Sequence, residues 1–299
     1  MDFTPARRVV NRARPRRSAL YMPGANARAL EKAQNLPADV LILDLEDAVA
    51  PDAKETARAQ VCAAVSTRRY GAREVVVRIN GLDTGWGHAD LPPVAGCGAD
   101  AILLPKVESA EQVRHLEALM ADCGAPDDMA VMCMIETPMG VLHAEEIAAS
   151  GPRLSCLVMG TSDLAKDLQA RHVPGREPLL PSLGLALLAA RAHRLAILDG
   201  VSLDLGDDAA HEAACRQGRD LGFDGKTLIH PKQIAAANRA FAPGDAEIAW
   251  SRRIIAAHGE AEAAGAGVVL VDGKLIEALH VEEAHRTVAL AEAIERLAA

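Results

Sequence analysis

Residues Val131 to Val141 read VMCMIETPMGV. The stretch opens with five apolar side chains, Val131-Met132-Cys133-Met134-Ile135, the pattern of a strand buried on both faces. It then delivers one carboxylate, Glu136, and stops on Thr137-Pro138-Met139-Gly140. Proline cannot donate to a sheet ladder, so the strand ends there. A charge at the last position of a buried strand is costly unless something pairs with it. A salt bridge to a neighbouring strand end accounts for one such residue. It does not account for a design that the chain repeats.

Working outward, eight short apolar runs alternate with alanine-rich stretches. The runs are Ser18–Met22, Val40–Leu45, Val75–Ile79, Ala101–Leu104, Val131–Ile135, Cys156–Met159, Ala196–Leu198 with Val201, and Gly225–Ile229. Between them, Asn26–Asn35, Pro51–Ser66, Ser109–Asp122, His143–Ser150, Pro181–Arg194 and Asp207–Leu221 carry apolar residues at helical spacing. Several begin with Asn, Ser or Asp as a cap. Eight such units predict a (β/α)8 barrel over residues 18–242. A doubly wound open sheet is the alternative, but no Gly-rich dinucleotide fingerprint follows the first strand.

Past the barrel, Gln233–Ala240 and Ala246–Ala264 read as helices and Gly265–Gly267 as a break. Val268–Lys274 reads as a hairpin, and Val281–Leu297 as a last helix. Residues 243–299 are expected to form a C-terminal extension that covers a barrel mouth or reaches a neighbouring subunit. Residues 1–17 carry six arginines against one acid, Asp2, and are expected to form a basic N-terminal tail.

Composition narrows the class. Half of the 299 residues are hydrophobic but only 2% are aromatic, so aliphatic side chains and alanine must build the core. A formal charge of −9 argues against a nucleic-acid partner. No apolar run reaches the length of a membrane span, and no secretory h-region stands near the start. The six cysteines show no paired spacing, which fits reduced thiols in a cytoplasmic protein. Without CxxC or HxxxH spacing a zinc site is not expected.

In a (β/α)8 barrel the site lies at the carboxyl ends of the strands. Those ends read Tyr21-Met22-Pro23-Gly24, Asp44-Leu45-Glu46-Asp47, Arg78-Ile79-Asn80, Pro105-Lys106-Val107-Glu108, Glu136, Gly160-Thr161-Ser162-Asp163 and Lys226 to Pro231. Each alone is explained as a solvated loop charge. Together they bring five carboxylates (Asp44, Glu46, Asp47, Glu136 and Asp163), Arg78 and Lys106 to one mouth, with Glu108 and Lys226 in the flanking loops and strand. Magnesium takes oxygen ligands, keeps several waters and often uses one or two protein carboxylates. Glu136 and Asp163, from adjacent strands, suit it. Asp44, Glu46 and Asp47 would then hold metal waters or orient basic side chains, or form ordinary ion pairs. Arg78 offers a planar fork for a carboxylate or a developing enolate oxygen, or a partner for Asp44 or Glu46. Lys106 could form a Schiff base, but a lysine among so many carboxylates stays protonated. Its expected role is structural or electrostatic. Arg28 and Lys32, one helical turn apart, suit nucleotide phosphates or a solvated helix face.

The motifs Arg17-Ser18-Ala19-Leu20-Tyr21-Met22-Pro23-Gly24, Asp44-Leu45-Glu46-Asp47-Ala48-Val49, Arg78-Ile79-Asn80, Leu104-Pro105-Lys106-Val107-Glu108-Ser109, Glu136-Thr137-Pro138-Met139-Gly140 and Gly225-Lys226-Thr227-Leu228-Ile229-His230-Pro231 occur in this order. In them the chain resembles the citrate lyase β-subunit-like group, which includes malyl-CoA and citramalyl-CoA lyases. The resemblance implies a magnesium-dependent (β/α)8 barrel, a homotrimer or larger, that makes or breaks a carbon–carbon bond between an acyl-CoA and a 2-oxo acid. Carried over by position, Glu136 and Asp163 are metal ligands and Arg78 contacts the reacting acid. Tyr21, Arg28 and Lys32 fall where the family binds the CoA thioester, and the backbone at Thr227-Leu228 lies along the same channel. The family's acid/base is an aspartate near the C-terminus, contributed to a neighbour's site. Here Leu275-Ile276-Glu277 stands at that place, so Glu277 is the expected proton carrier and Asp272 the weaker substitute. A CoA-independent 2-oxo-acid aldolase and a citrate lyase β subunit working within a complex are the alternatives.

Overall fold

The computed structural model describes residues 14–263 and 268–298. The strands fall on the apolar runs: β1 (Ser18–Pro23), β2 (Val40–Asp44), β3 (Glu74–Arg78), β4 (Ala101–Leu104), β5 (Ala130–Ile135), β6 (Leu154–Met159), β7 (Ala196–Asp199) and β8 (Gly225–Leu228). All are parallel to their neighbours, follow sequence order, and close with β8 on β1. The predicted (β/α)8 barrel is the observed fold. Strand seven ends at Asp199, so Val201 lies beyond it.

Alternation along each strand sorts side chains into two cores. Ala19, Ile42, Val76, Leu103, Met132, Met134, Val158 and Leu198 fill the interior. Their neighbours Leu20, Leu43, Val77, Leu104, Cys133 and Leu157 pack outward against the helices. Counting on by two, Tyr21, Asp44, Arg78 and Glu136 continue the inward columns at the carboxyl ends. The fold therefore aims these side chains into one mouth.

The amino end of the barrel is closed by charge. Glu74, two residues below Val76, accepts Arg16 Nε at 2.5 Å and Nη2 at 2.8 Å, and both side chains are buried. Arg17 grips Asp39 through its amide and its guanidinium. Gly225 lets this arm pass, because a β-carbon there would stand 1.8 Å from the Arg16 carbonyl oxygen. Arg16 and Arg17, counted in the basic tail, are thus fixed parts of the barrel, since burial and carboxylate partners outweigh their solvation. Residues 1–13 of that tail lie outside the described residues.

The helices of the barrel unit are α1 (Ala27–Ala33), α2 (Lys54–Ser66), α3 (Gly85–Cys97), α4 (Ala110–Asp122), α5 (Pro138–Leu142), α6 (Ala144–Ala148), α7 (Thr161–Asp167), α8 (Leu180–Ala192), α9 (Asp208–Leu221) and α10 (Ile234–Phe241). Three of them, α3, α5 and α7, were not among the predicted segments. Helix α3 contains three glycines and Pro92-Pro93, which mark a loop by propensity. The Thr84 hydroxyl caps it on the Gly87 amide, and Gly98 ends it at φ 90°. Its buried face (Leu91, Val94, Ala95) overrides its propensity. Helix α7 follows β6 with only Gly160 between them and carries Asp163 in its first turn.

Contacts divide the chain into two units, one holding Arg16–Phe241 and the other beginning at Ala242. The second contains α11 (Asp245–Ala263), β9 (Val269–Val271), β10 (Lys274–Ile276) and α12 (Ala278–Ala298). Asp272 and Gly273 form the hairpin turn with φ of 48° and 75°, as a two-residue turn of the Asp-Gly type requires. Val271, Ile276, Ile254 and Ala284 form its core. The opposed pair Leu270 and Leu275 faces solvent. The predicted break at Gly265–Gly267 lies outside the described residues. Among the described residues no helix is long and apolar enough to cross a membrane.

Candidate active site

Arg78 is the hub of the mouth. Its Nε and Nη2 donate to the two Asp44 oxygens at 2.7 and 2.6 Å, and its Nη1 reaches Glu46 Oε2 at 2.9 Å. The Tyr21 ring lies beneath the guanidinium, 5.0 Å from Cζ to centroid. Burial disfavours the charge, but the Asp44 fork outweighs it and holds Arg78 above its ordinary pKa. The bidentate pairing with Asp44 does not compete with a role toward substrate: it fixes the plane of the guanidinium.

Asp44 also accepts the amides of Glu46 and Ala48, at 2.9 and 3.2 Å. Glu46 accepts the Asp47 amide at 3.0 Å and pairs its other oxygen with Lys106 Nζ. Asp47 is more exposed and stands 3.9 Å from Arg78 Nη1 and 3.8 Å from Lys106 Nζ. The three acids of this turn thus form ion pairs with the two cations.

Lys106 bridges the turn and Glu136. Its backbone sits at φ 50°, a left-handed conformation that a residue with a β-carbon adopts at a cost. That conformation points its amide at Glu136 Oε1, 2.8 Å away, while its Nζ reaches Glu46. Burial disfavours the ammonium, but Glu46, Glu136 and Asp47 more than offset this and hold it charged. The raised pKa favours the charged ammonium, the form expected for Lys106 among these carboxylates.

Glu136 is almost fully buried, and burial pushes its carboxyl up to about 7 despite the Lys106 amide and the charges of Lys106 and Arg78. It lies against Gly160, the residue after β6, where no side chain would fit. Three residues on, Asp163 is partly exposed, with Lys166 at 4.0 Å. Tyr21 places a buried hydroxyl in the same mouth without a hydrogen-bond partner among the described residues, and burial raises its pKa.

The other predicted residues are distributed differently. Arg28 and Lys32 are exposed on α1, one turn apart. Thr227 and Leu228 are fully buried in β8, and their ladder pairs them with Ala19 and Leu20. The first exposed residues after them are Ile229 and His230. Lys226 points to the outer face, like Leu228, where Asp199 takes its Nζ at 2.9 Å; it is not part of the mouth. Glu277 is exposed in the second unit, and its amide donates to His280 Nδ1 at 3.0 Å. Asp272 forms the hairpin turn and pairs with Arg253 at 2.8 Å. Lys54, Asn80 and Gly160 support the mouth but were given no role in the sequence reading. The signal for Lys54 was a lysine opening a helix eight residues after Glu46.

An eight-stranded parallel barrel with this charged mouth has the build of a (β/α)8 lyase. The chain belongs to the HpcH/HpaI aldolase/citrate lyase family, whose model matches residues 17–231. It is 52% identical over 286 residues to a (3S)-malyl-CoA thioesterase of Cereibacter sphaeroides, covering 96% of this chain and 98% of that protein. It is 37% identical over 289 residues to the citrate lyase subunit beta of Leuconostoc mesenteroides subsp. cremoris, covering 95% and 96%. Among solved structures, the protein CitE from Mycobacterium tuberculosis, in complex with magnesium, acetoacetate and coenzyme A, is 31% identical with a TM-score of 0.73, covering 94% of this chain and 99% of that one.

The residues present fit such an ion. Glu136 is a buried carboxylate whose desolvation leaves it short of positive charge. The missing side chain at Gly160 leaves room for it at the end of the neighbouring strand. Among the described residues no group of three or more His, Cys, Asp or Glu could hold a metal. Magnesium retains several waters and often takes only one or two protein carboxylates.

Proposed function

We propose that this protein is a magnesium-dependent lyase of malyl-CoA or citramalyl-CoA type, which breaks or forms the bond between an acyl-CoA and a 2-oxo acid. The observation that supports it best is the Asp44–Arg78–Glu46–Lys106 network beside the buried Glu136. Glu136 and Asp163 would hold the ion. Magnesium, when bound, supplies Lewis-acid polarisation of the oxo and carboxylate oxygens of the acid.

In cleavage a carboxylate of the mouth takes the 3-hydroxyl proton, the carbon–carbon bond breaks, and the acyl-CoA leaves as an enolate. Arg78, already planar and charged, stabilises the negative charge as it develops without reorganising. Lys106 adds a second fixed charge. Tyr21, Arg28 and Lys32 bind the thioester, with the pantetheine passing the end of β8 at Thr227-Leu228. Glu277 delivers the proton that quenches the enolate. It comes from the C-terminal unit, residues 243–299, of a neighbouring subunit in a homotrimer or larger assembly. The solvent-facing pair Leu270 and Leu275 on its hairpin supports a covering role. Six free cysteines support a cytoplasmic setting.

Thioester hydrolysis is the second reading, favoured by the 52% identity to a malyl-CoA thioesterase. One experiment separates the two. Malyl-, methylmalyl- and citramalyl-CoA are incubated with magnesium, against a chelator control, and both the oxo acid and free CoA thiol are measured. Oxo acid without free thiol supports the lyase, and free thiol with the intact hydroxy acid supports hydrolysis. No turnover of any thioester rejects both.

A further inference from the structure

The turn from Asp44 to Ala48 points its amides at the carboxylates of the mouth, so its carbonyls face the other way. The carbonyls of Leu45 and Glu46 both end on Lys54 Nζ, at 2.8 and 2.7 Å. Asn80 Nδ2 adds a second donor to the Leu45 carbonyl at 2.9 Å. Asp90 holds that amide at 2.7 Å, and its other oxygen takes Arg58 Nε at 2.7 Å. The acidic turn is thus gripped from behind by α2 and α3.

Lys54 is an unfavourable residue for its place. It opens α2, where the helix dipole disfavours a cation. It is only 6% exposed, which strips water from its ammonium. Burial lowers its pKa, against the pull of Glu46, Asp44, Asp90 and Asp47. The Trp86 ring lies over it at 5.4 Å.

We infer that Lys54 is a positioning residue of the active site: by fixing the Leu45 and Glu46 carbonyls it directs the Glu46 carboxylate, and through it Arg78 and Lys106. The buried Glu46 carbonyl also accepts the Val49 amide at 3.0 Å, so removing the ammonium leaves it with that one backbone partner and without its charged one. The peptide then relaxes toward water and carries the side chain with it. Arg78 Nη1 and Lys106 Nζ, both bound to that carboxylate, lose their reference point. The inference rests on reading this mouth as the catalytic one.

Lys54→Met keeps the bulk and removes the donors. It should lower kcat by about ten- to a hundredfold, with KM and calorimetric magnesium affinity within about twofold. The double variant Lys54→Met/Glu46→Gln should be no slower than Glu46→Gln alone, because the two act in series. Wild-type kcat in folded Lys54→Met, or additive losses in the double variant, overturn the inference. If Lys54→Met does not fold, Lys54→Gln, which keeps a donor without the charge, carries the same comparison. A readout independent of turnover is the Arg78 Nη1–H resonance, the one bound to Glu46, identified by its absence in Arg78→Lys. It should be protected from exchange in the wild type and lose protection in the Lys54 variant. Unchanged protection overturns the inference even if no thioester is turned over, whereas failed turnover alone counts against the proposed reaction.

Discussion

The Glu136 side chain lies directly against Gly160: a β-carbon on Gly160 would stand 2.4 Å from Glu136 Cβ and 2.5 Å from Oε2. No rotation of a flexible chain end relieves the first of these contacts. Gly160→Ala should therefore displace the carboxylate, at a stability cost of about 1–3 kcal/mol. Magnesium affinity should fall along with turnover, as in Glu136→Gln and Asp163→Asn. Calorimetry is the check. Unchanged affinity in all three variants would detach Glu136 and Asp163 from the metal.

The raised Glu136 carboxyl sets a pH dependence. Its ordinary value is 4.5 and burial lifts it to about 7. Between these values the folded, metal-free protein keeps a proton that the unfolded chain has released. The stability Glu136 contributes is thus full below 4.5 and lost as pH rises through about 7. Magnesium needs the carboxylate, so its binding should release a proton below pH 7 and weaken as the solution is acidified. Calorimetry in two buffers of different ionisation enthalpy measures that proton. An equal heat in both buffers at pH 6 would contradict the assignment.

Arg78→Lys keeps a positive charge but cannot fork onto both Asp44 oxygens. A loss of about 10²-fold or more in turnover is expected, the order seen when a transition-state donor is removed. Steady-state kinetics on the folded variant decide it. Near wild-type rates would reduce Arg78 to an ion-pair partner of Asp44.

Glu277→Ala should still bind magnesium and the oxo acid but lose activity. Mixed with Arg78→Ala after confirmed subunit exchange, it should recover part of that activity, because some mixed sites then hold both residues intact. No recovery at any ratio would assign Glu277 to its own subunit's mouth. Full activity of Glu277→Ala alone would remove it from the mechanism.

Most of the barrel was legible because its strands are buried on both faces and read as unbroken apolar runs. Their position at the ends of those runs then placed Asp44, Arg78 and Glu136 at the mouth. Helix α3 was not legible, since its glycines and Pro92-Pro93 are outweighed only by packing that the sequence does not display. Lys54 reads as an ordinary helix charge until the direction of the Leu45 and Glu46 carbonyls is known. Gly160 reads as a strand terminator, because its need for no side chain arises from Glu136 on another strand. Arg16 was misplaced in a tail because its partner Glu74 lies 58 residues away.

That last pair bears on how the protein can be handled. A fragment cut at Ser18 would contain every strand and every residue of the mouth. It would nonetheless take the Arg16 guanidinium away from the buried Glu74, with Gly225 facing an empty slot. Breaking a buried pair of this kind costs about 3–5 kcal/mol, a large share of what a domain has. Truncations and fusion junctions therefore belong upstream of Arg16, the stopper set into the floor of the vessel.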